Sequence, residues 1–418
     1  MSKVLIIGNG GREHALAWKF SRSPQVDRVY VAKGNPGMEV IAELVDISPF
    51  NFEALVSFVK SEHISLTVVG PEDPLMGGIA DHFEKEGLSI FAPKANAAII
   101  EGSKTFAKDL MSKYNIPTAR HKTFTDCKEA CDALTSFTPP YVLKADGLAN
   151  GKGVVITESI EEAKSALNDL MIKGLFNEAG KTVLIEEFLR GFEFTFMALV
   201  HGENVVPLIP AKDYSQAYDE DKGPNTGGMG GFSPIPHISE ADIAKARDSI
   251  LVPVAKAMVK EGRSFTGVLY AGLMATEDGP KVIEFNARFG DPETEVVLPL
   301  MDSDIYTVIT ELLNGKKPIV TWSNDYALSV ALASKGYPGK YETGFEITGL
   351  DTLDSGTLVF HSGTGYSGER LVTNGGRVLI VTKRAANLFE AREAVYDEIK
   401  KIRCDNLFYR MDIGRFNQ

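Results

Sequence analysis

Three polar side chains alternate with apolar ones in the segment KVIEFNARFGDPE, residues 281–293. Glu284, Asn286 and Arg288 occupy every second position, so in a strand they would project from the same face. A carboxylate and an amide oxygen side by side could hold a hard cation, and the guanidinium could bind an anion. An ordinary half-exposed strand with a polar face explains Glu284 and Asn286 equally well, so the rest of the chain has to decide.

The glycine-rich segment GNGGREHA, residues 8–15, lies between a predicted strand and a predicted helix. Free backbone N–H groups at a helix N-terminus suit a phosphate, and Gly10 and Gly11 permit close approach. Glu13 stands in place of the third glycine of a dinucleotide fingerprint, and the second strand ends without the acid that would hold a ribose. NAD binding is therefore disfavoured, while a tight turn that binds nothing stays an alternative.

The loop DGLANGKG, residues 146–153, resembles a phosphate-binding loop but lacks the Ser or Thr that follows the lysine of a P-loop. Predicted strands flank it on both sides. We therefore interpret it as a flap that closes over a triphosphate, with Lys144 supplying a cation to the phosphate oxygens. A hairpin without a ligand explains the glycines equally well.

The segment VLIEEFLRGFEF is a predicted strand that runs into acidic residues. Glu186 and Glu187 could form a solvated face. Alternatively, the extended segment, with Phe188 and Leu189, offers backbone groups and an apolar wall to an adenine, and Glu193 then lies within reach of ribose hydroxyls.

The loop DEDKGPNTGGMGGFSP, residues 219–234, is too rich in Gly, Asn and Pro to be a core segment. Loops of this length inside a compact domain usually cover a site or are disordered. We interpret this loop as one that covers a site.

The elements that position these groups are predicted from periodicity. Strand-like and helix-like segments alternate from residue 3 to about residue 100, which predicts βαβ units and an open parallel sheet. A smaller α+β segment with the 146–153 loop follows. The next elements and the C-terminal unit are, in order, a hairpin over 192–210, a polar loop over 211–234, a helix over 239–262, strands over 267–275 and 280–286, a helix ending near Asn314, and an α+β unit.

Composition limits the function classes. A chain of 418 residues predicts two to four domains. The net charge of −12 disfavours broad contact with nucleic acid or an anionic membrane, although local basic loops can still bind anionic small molecules. Cys127, Cys131 and Cys404 lack the spacing of a redox or zinc site, so we expect free thiols. No signal peptide or membrane span is recognisable, and a cytoplasmic protein is expected.

Nine segments taken together resemble one enzyme family closely: GNGGREHALAW, VVGPE, EGSKTFAKDLM, LKADGLANGKGV, VIEEFLRGFE, GPNTGGMGGFSP, LYAGLM, KVIEFNARFGDPE and VTNGGRVL. They look like the motif series of the phosphoribosylamine–glycine ligases, ATP-grasp enzymes of purine biosynthesis. The resemblance runs from residue 3 to about residue 415 in the same order. It implies an α/β and α+β multidomain fold with an N-terminal open parallel α/β domain (1–102), an ATP-grasp region (103–324) with a flap at about 123–190, and a small C-terminal α+β domain (325–418).

The resemblance also implies a reaction in which ATP, glycine and 5-phosphoribosylamine give glycinamide ribonucleotide, ADP and phosphate through glycyl phosphate. The cofactors would be ATP and Mg²⁺ or Mn²⁺, the metal ligands Glu284 and Asn286, and the catalytic residues Arg288 and Asp213. The implied nucleotide-binding residues are Lys104, Lys144, Gly147, Gly151, Lys152, Gly153, Glu186, Glu187, Phe188, Leu189 and Glu193. The implied substrate-binding residues are Gly10, Gly11, Arg12, Asn225, Thr226, Gly227, Gly228, Arg288 and Asp291, with Asp291 and Glu293 equally open to a capping role. The resemblance suggests a monomer as well, and the net charge is the reason to expect no nucleic-acid or membrane partner.

Two positions depart from the family. Where the family reads Asp-His-Lys-Arg, this chain reads Asp213-Tyr214-Ser215-Gln216, so phosphate contacts there would need Lys212 or Lys222. The flap has Asn150 where Ala is common. A bicarbonate-using ATP-grasp carboxylase, a dehydrogenase and a non-catalytic nucleotide sensor are the competing interpretations. The C-terminal TNGGRVL with the GPNTGGMG loop favours the glycine ligase over the carboxylase.

Overall fold

A five-stranded parallel sheet is built from the N-terminal residues, with strand order β3-β2-β1-β4-β5. The computed structural model describes residues 1–147, 153–173 and 180–415. The strands are β1 (Ser2–Gly8), β2 (Val26–Lys33), β3 (Glu43–Val45), β4 (Leu66–Val69) and β5 (Ile90–Phe91). The connecting helices are α1 (Gly11–Ser21), α2 (Phe52–Ser61), α3 (Glu72–Met76), α4 (Ile79–Lys85) and α5 (Ala95–Gly102), with a 3-10 turn at Pro36–Met38. Val4 and Ile6 pack into one core and Leu5 and Ile7 into another, as expected for a parallel sheet covered on both faces.

A small antiparallel sheet follows, with strand order β6-β9-β7-β8 and its own core around Leu143, Leu167 and Ile185. Its elements, after α6 (Lys104–Lys113), are β6 (His121–Phe124), α7 (Cys127–Ala133), a 3-10 turn (Leu134–Ser136), β7 (Tyr141–Ala145), β8 (Val154–Thr157), α8 (Ile160–Met171) and β9 (Val183–Glu186). The loop between β7 and β8 is the predicted flap; its residues 148–152 lie outside the described part of the chain.

The predicted hairpin is confirmed as β10 (Phe192–His201) and β11 (Asn204–Pro207), with Gly202 at φ +61° in the turn. The prediction of one continuous polar loop over 211–234 is wrong, because this stretch folds as four short strands. They are β12 (Lys212–Asp213), β13 (Gln216–Tyr218), β14 (Lys222–Asn225) and β15 (Gly230–Ser233).

The predicted helix over 239–262 is present as α9 (Glu240–Ala246), a π-helical turn (Arg247–Leu251) and α10 (Val252–Lys260). The two strands predicted after it are β16 (Thr266–Thr276) and β17 (Gly279–Asn286). They complete an antiparallel sheet of order β11-β10-β16-β17. A bulge interrupts the β16–β17 register after the Gly272–Glu284 pair, because Leu273 pairs with Val282 and leaves Ile283 unpaired.

A six-stranded sheet has the order β12-β15-β18-β22-β19, with β23 against β18, so β12 and β15 join it across the predicted boundary at residue 324. The remaining elements supply its other four strands, a separate β20–β21 pair and the last helices. They are α11 (Thr294–Leu300), α12 (Ile305–Leu313), β18 (Tyr326–Ser334), a 3-10 turn (Leu350–Thr352), β19 (Leu358–His361), β20 (Thr364–Ser367), β21 (Arg370–Thr373), β22 (Arg377–Ala385), α13 (Leu388–Ile399) and β23 (Leu407–Phe408). None of the helices in the described ranges is both long enough and apolar enough to span a bilayer.

Candidate active site

A cavity of about 460 Å³ lies where the small flap sheet, the β10–β17 sheet and the C-terminal sheet meet. The predicted residues that line it are Lys104, Lys144, Gly147, Gly153, Glu186, Asp213, Asn225, Thr226, Gly227, Glu284, Asn286, Arg288 and Asp291. The structure therefore brings the alternating face of β17, the residues at both ends of the flap and the 225–227 segment into one space.

The face of β17 that opens into the cavity carries Glu284 and Asn286. Glu284 is exposed, and Asn286 is half-buried beside the cavity wall. The bulge at Ile283 turns that residue toward the cavity too, so its carbonyl accepts a hydrogen bond from Lys144 Nζ at 3.2 Å. Carboxylate and amide oxygens are donors that Mg²⁺ accepts in proteins, so the two side chains fit a hard divalent cation.

Arg288 continues the same face and lies between two acidic side chains. Its Nε is 3.4 Å from Glu72 Oε2 and 3.7 Å from Glu101 Oε1. Burial alone would lower the pKa of Arg288, but Glu101 and Glu72 outweigh it and raise this pKa above its ordinary value. Burial raises the pKa of Glu101. Burial would raise the pKa of Glu72 too, but the charges of Arg288 and Arg12 outweigh it and hold this pKa below its usual range. Arg288 is therefore a permanently charged group in a fixed position on the cavity wall.

Lys104 begins α6 and reaches the flap. Its Nζ donates to the carbonyl of Gly147 at 3.0 Å, and Asp146 holds the start of the same helix through the N–H of Thr105 at 3.1 Å. Burial lowers the pKa of Lys104, and the charge of Glu284 opposes that shift. The cation thus lies between the flap and the oxygen donors of β17.

Lys108 of α6, Lys144 of β7 and Glu186 of β9 form a buried triad in the cavity wall. Glu186 Oε2 is 3.1 Å from both Lys108 Nζ and Lys144 Nζ, and each of the three side chains is at most 6% exposed. Burial lowers the pKa of Lys108 to about 8 in spite of Glu186. Burial would raise the pKa of Glu186, but Lys144 and Lys108 reverse the direction and keep it ionised. The remaining oxygen, Oε1, has no hydrogen-bond partner among the described residues.

The residues after β9 do not line this cavity, although the sequence predicts that they meet the nucleotide. Glu187 accepts the backbone N–H of Arg120 at 3.0 Å, and Arg190 lies over the ring of Phe188. Leu189 is half-buried and Glu193 is exposed, 3.9 Å from Lys212. Their assignment to adenine and ribose stays a prediction. Gly151 and Lys152 lie outside the described residues.

A second acidic group lies next to the predicted Asp213. Glu293 is buried and accepts hydrogen bonds from Tyr270 Oη at 2.7 Å and from Thr195 Oγ1 at 2.9 Å. Burial and the neighbouring Asp213 raise the pKa of Glu293 to about 7. Asp213 itself accepts the hydroxyl of Ser215 at 2.8 Å. The cavity therefore contains a carboxyl that can gain or lose a proton near neutral pH.

The residues at the start of α1, Gly10 to Arg12, are not among those that line the cavity. Gly10 N–H donates to Glu13 Oε2 at 2.6 Å, so the protein's own carboxylate occupies part of the helix N-terminus proposed for a phosphate. Gly11 packs against the side chain of Glu295, and Arg12 donates to the carbonyl of Phe289 at 3.2 Å. Arg288 donates to that same carbonyl at 3.1 Å. Arg12 therefore lies behind Arg288, and the substrate contacts of Gly10 to Arg12 stay a prediction.

Tyr214, Ser215 and Gln216 stand where basic residues were expected, and none of the three carries a positive charge. Tyr214 is buried, with its hydroxyl accepting the N–H of Gly414 at 3.1 Å, and burial raises its pKa to about 12. Lys222 is paired with Glu220 on the surface. Lys212 is half-buried, with its ammonium over the Tyr214 ring at 5.7 Å. Of the two lysines suggested as substitutes, Lys212 is the one beside the cavity residue Asp213.

Sequence reasoning missed several residues that line the cavity, among them Glu72, Glu101, Lys108, Tyr270, Ile283 and Tyr337. A signal existed for Lys108, because it lies one helical turn after Lys104 on α6 and positions four apart share a face. Ala107 and Met111 line the cavity from that face as well. Nothing local indicates Tyr337, which reaches the cavity from the far end of the chain.

Comparisons with known proteins bear on this arrangement. Three family models match along the chain: the phosphoribosylglycinamide synthetase N domain at residues 2–101, its ATP-grasp (A) domain at 102–294 and its C domain at 327–416. The chain belongs to the phosphoribosylglycinamide synthetase family. The family predicted from the sequence is thereby confirmed, together with the α/β and α+β multidomain fold.

Known proteins are similar to this chain over nearly its whole length. The chain is 54% identical to the phosphoribosylamine–glycine ligase of Halalkalibacterium halodurans, over 98% of this chain and 96% of that protein. It is 51% identical to the ligase of Listeria innocua, over 98% and 99%. The crystal structure of the Thermotoga maritima ligase matches with a TM-score of 0.87 at 36% identity, over 98% and 100%. A biotin carboxylase domain from Hydrogenobacter thermophilus shares the fold, with a TM-score of 0.70 at 18% identity over 97% of this chain and 91% of that one.

Proposed function

We propose that this protein joins glycine to 5-phosphoribosylamine with cleavage of ATP, giving glycinamide ribonucleotide, ADP and phosphate. The observation that carries the proposal is one cavity that combines buried cations, two oxygen donors on β17 and the fixed guanidinium of Arg288. The ligase relatives described above support it over the carboxylase. Three groups of atoms, a triphosphate, a carboxylate and an amine, need to be held together, and the cavity offers chemistry for each.

The chemistry requires an activated carboxylate, because an unactivated one is a poor electrophile. In the first step a glycine oxygen forms a bond to the γ-phosphorus while the bond between the β- and γ-phosphates breaks, which leaves ADP and glycyl phosphate. In the second step the amine nitrogen attacks the acyl carbon, phosphate leaves, and the amine gives up a proton. Since the protein forms no covalent bond, it accelerates the reaction by positioning and by electrostatic stabilisation.

The residues divide along the cavity. Lys104 and Lys144 bind the phosphates under the flap, and the apolar wall formed by Ala107, Met111 and Ile283 receives the adenine. Glu284 and Asn286 would hold Mg²⁺, or Mn²⁺ in its place, which supplies neutralisation of phosphate charge.

Arg288 binds the glycine carboxylate, because its charge is fixed by Glu72 and Glu101 and its side chain faces the cavity. Asp213 and Glu293 lie nearby and receive the amine proton, for which a carboxyl with a pKa of about 7 is suited. We further propose the domain division 1–102, 103–324 and 325–418, a monomer, and a cytoplasmic location that agrees with the free thiols.

ADP release by the purified protein tests this function. With Mg²⁺ and ATP, we expect ADP only when glycine and phosphoribosylamine, generated in place from ribose 5-phosphate and ammonia, are both present. Glu284→Ala should abolish turnover. Glu277→Ala is the matched control, because this carboxylate lies in the exposed turn of the same hairpin and should leave turnover unchanged. Absence of ADP above background in the unmodified protein would refute the assignment.

A further inference from the structure

The motif TNGGRVL at 373–379 has no role in the reaction described above, yet it brings a half-buried ion pair to the cavity wall. Arg377 begins β22, and its Nη1 lies 2.7 Å from Asp291 Oδ1. The same nitrogen donates to the carbonyl of Gly227 at 2.8 Å and approaches that of Gly228 at 3.4 Å. One nitrogen of the C-terminal sheet therefore holds both the segment after β14 and the residue that follows Arg288 by three positions.

Gly376 of the motif and Gly227 show how closely the two segments are packed. A Cβ on Gly376 would clash with the ring of Tyr337, so the glycine leaves room for that ring. The Tyr337 hydroxyl accepts the backbone N–H of Gly227 at 3.0 Å, which is a second tie to the same segment. Gly227 packs so closely that a Cβ there would lie 3.2 Å from Arg377 Cζ. The motif and the 225–228 segment are thus fitted to each other.

Their place in the cavity indicates which substrate they serve. The chain runs along the cavity from Ile283, which contacts Lys144, past Arg288, to Asp291, which contacts Arg377. If the triphosphate lies at the lysine end and the glycine carboxylate at Arg288, the acyl carbon is approached from the opposite end. That end is lined by residues 225–227 and by Tyr337 and Pro338.

We propose that Arg377 is a positioning residue for the amine substrate, 5-phosphoribosylamine, and acts by fastening the 225–228 segment and Asp291 to the C-terminal sheet. The inference rests on the proposed function and adds a subsite to it. Asp291 stays ionised as the partner of Arg377: burial would raise its pKa, but Arg377 and Arg12 outweigh burial and hold this pKa below its usual range. The C-terminal sheet then takes part in substrate selection as well as in folding.

The test compares Arg377→Gln, Arg377→Lys and a control, Arg384→Gln. Arg384 lies on the same strand and is ion-paired with Asp325 at 2.8 Å, away from the residues that line the cavity. We expect Arg377→Gln to raise the KM for phosphoribosylamine at least tenfold, with the Kd for ADP within twofold of the unmodified protein. Arg377→Lys should recover most of this loss, because one ammonium can replace one Nη1 that makes all three contacts.

A general structural role predicts a different pattern. If Arg377→Gln weakens ADP binding as much as it raises the KM, or leaves the KM unchanged, the inference is overturned while the ligase assignment stands. Should Arg377→Gln fail to fold, Tyr337→Phe removes the second tie alone and should still raise the KM for phosphoribosylamine severalfold. An unmodified protein that releases no ADP would overturn both this inference and the proposed function.

Discussion

Replacing Glu186 with glutamine should destabilise the protein by about 3–5 kcal/mol, because it leaves two lysines buried without an anion. Burial already lowers the pKa of Lys108 from 10.5 to about 8, so its charge costs about 3 kcal/mol in the folded state. At pH 7 the cost of burying this charge cannot exceed about 5 kcal/mol, because the lysine would then lose its proton instead. Loss of Glu186 can therefore destabilise the protein through Lys108 by roughly 2 kcal/mol more. Lys144, whose side chain is 6% exposed, carries the rest of the effect.

Urea unfolding at pH 7, followed by circular dichroism, measures this loss. Lys108→Met is the matched variant, since it leaves Glu186 and Lys144 as a one-to-one pair, and we expect its free energy of unfolding to stay within about 1 kcal/mol of the unmodified protein. A Glu186→Gln protein less than 1 kcal/mol below the unmodified one would refute the reasoning. A Lys108→Met protein that loses as much free energy of unfolding as Glu186→Gln would refute it too. The second lysine would then contribute to stability, and it would not be an excess positive charge beside one carboxylate.

Three further outcomes are expected. Glu284→Gln keeps the size of a metal ligand but not its charge, so the Mg²⁺ concentration for half-maximal ADP release should rise at least tenfold in a titration. Burial and Asp213 raise the pKa of Glu293 from 4.5 to about 7, so the folded state keeps this proton to a higher pH than the unfolded state does. The free energy of unfolding should therefore fall by about 3 kcal/mol from pH 4.5 to pH 7. The urea midpoint of Glu293→Gln should not show this loss. Burial lowers the pKa of His14 to about 3 and that of His361 to about 4, both from 6.5. Their contribution to the free energy of unfolding is therefore fully present above pH 6.5 and is lost as the pH falls. Between pH 7 and pH 5 the melting temperature of His361→Gln should fall less than that of the unmodified protein.

The N-terminal sheet was predictable because its signals are local. In β1 the run Val-Leu-Ile-Ile is apolar on both faces, which a covered parallel sheet requires. The strands between 211 and 234 gave no such signal, since each has two to four residues and β14 contains Gly223 and Pro224. β15 becomes a strand by pairing with β12 on one side and with the distant β18 on the other, where Gly230 pairs with Val330. Pairing at that separation leaves no periodicity in the local sequence.

The same distinction applies to the cavity. Glu284, Asn286 and Arg288 could be placed together because strand alternation fixes their common face. The partners that fix Arg288 could not be predicted, because Glu72 and Glu101 lie far earlier in the chain, in the helices α3 and α5. Composition alone does not place the segment from Glu187 to Glu193 against a nucleotide, because extended acidic segments also occur on solvent-exposed surfaces.

Two cations of the cavity, Arg288 and Lys144, are paired with carboxylates before any substrate arrives, and this pairing fixes their positions in a chain of net charge −12. Arg288 lies between Glu72 and Glu101, and Lys144 is shared between Glu186 and the carbonyl of Ile283. Pairing lowers the cost of burying each charge, and it fixes each cation in one place. An incoming phosphate or carboxylate then meets groups that need little reorganisation, which is the condition for strong electrostatic stabilisation of a transition state. The carboxylates that pair these cations are therefore part of the binding machinery, although they repel the substrates they help to hold.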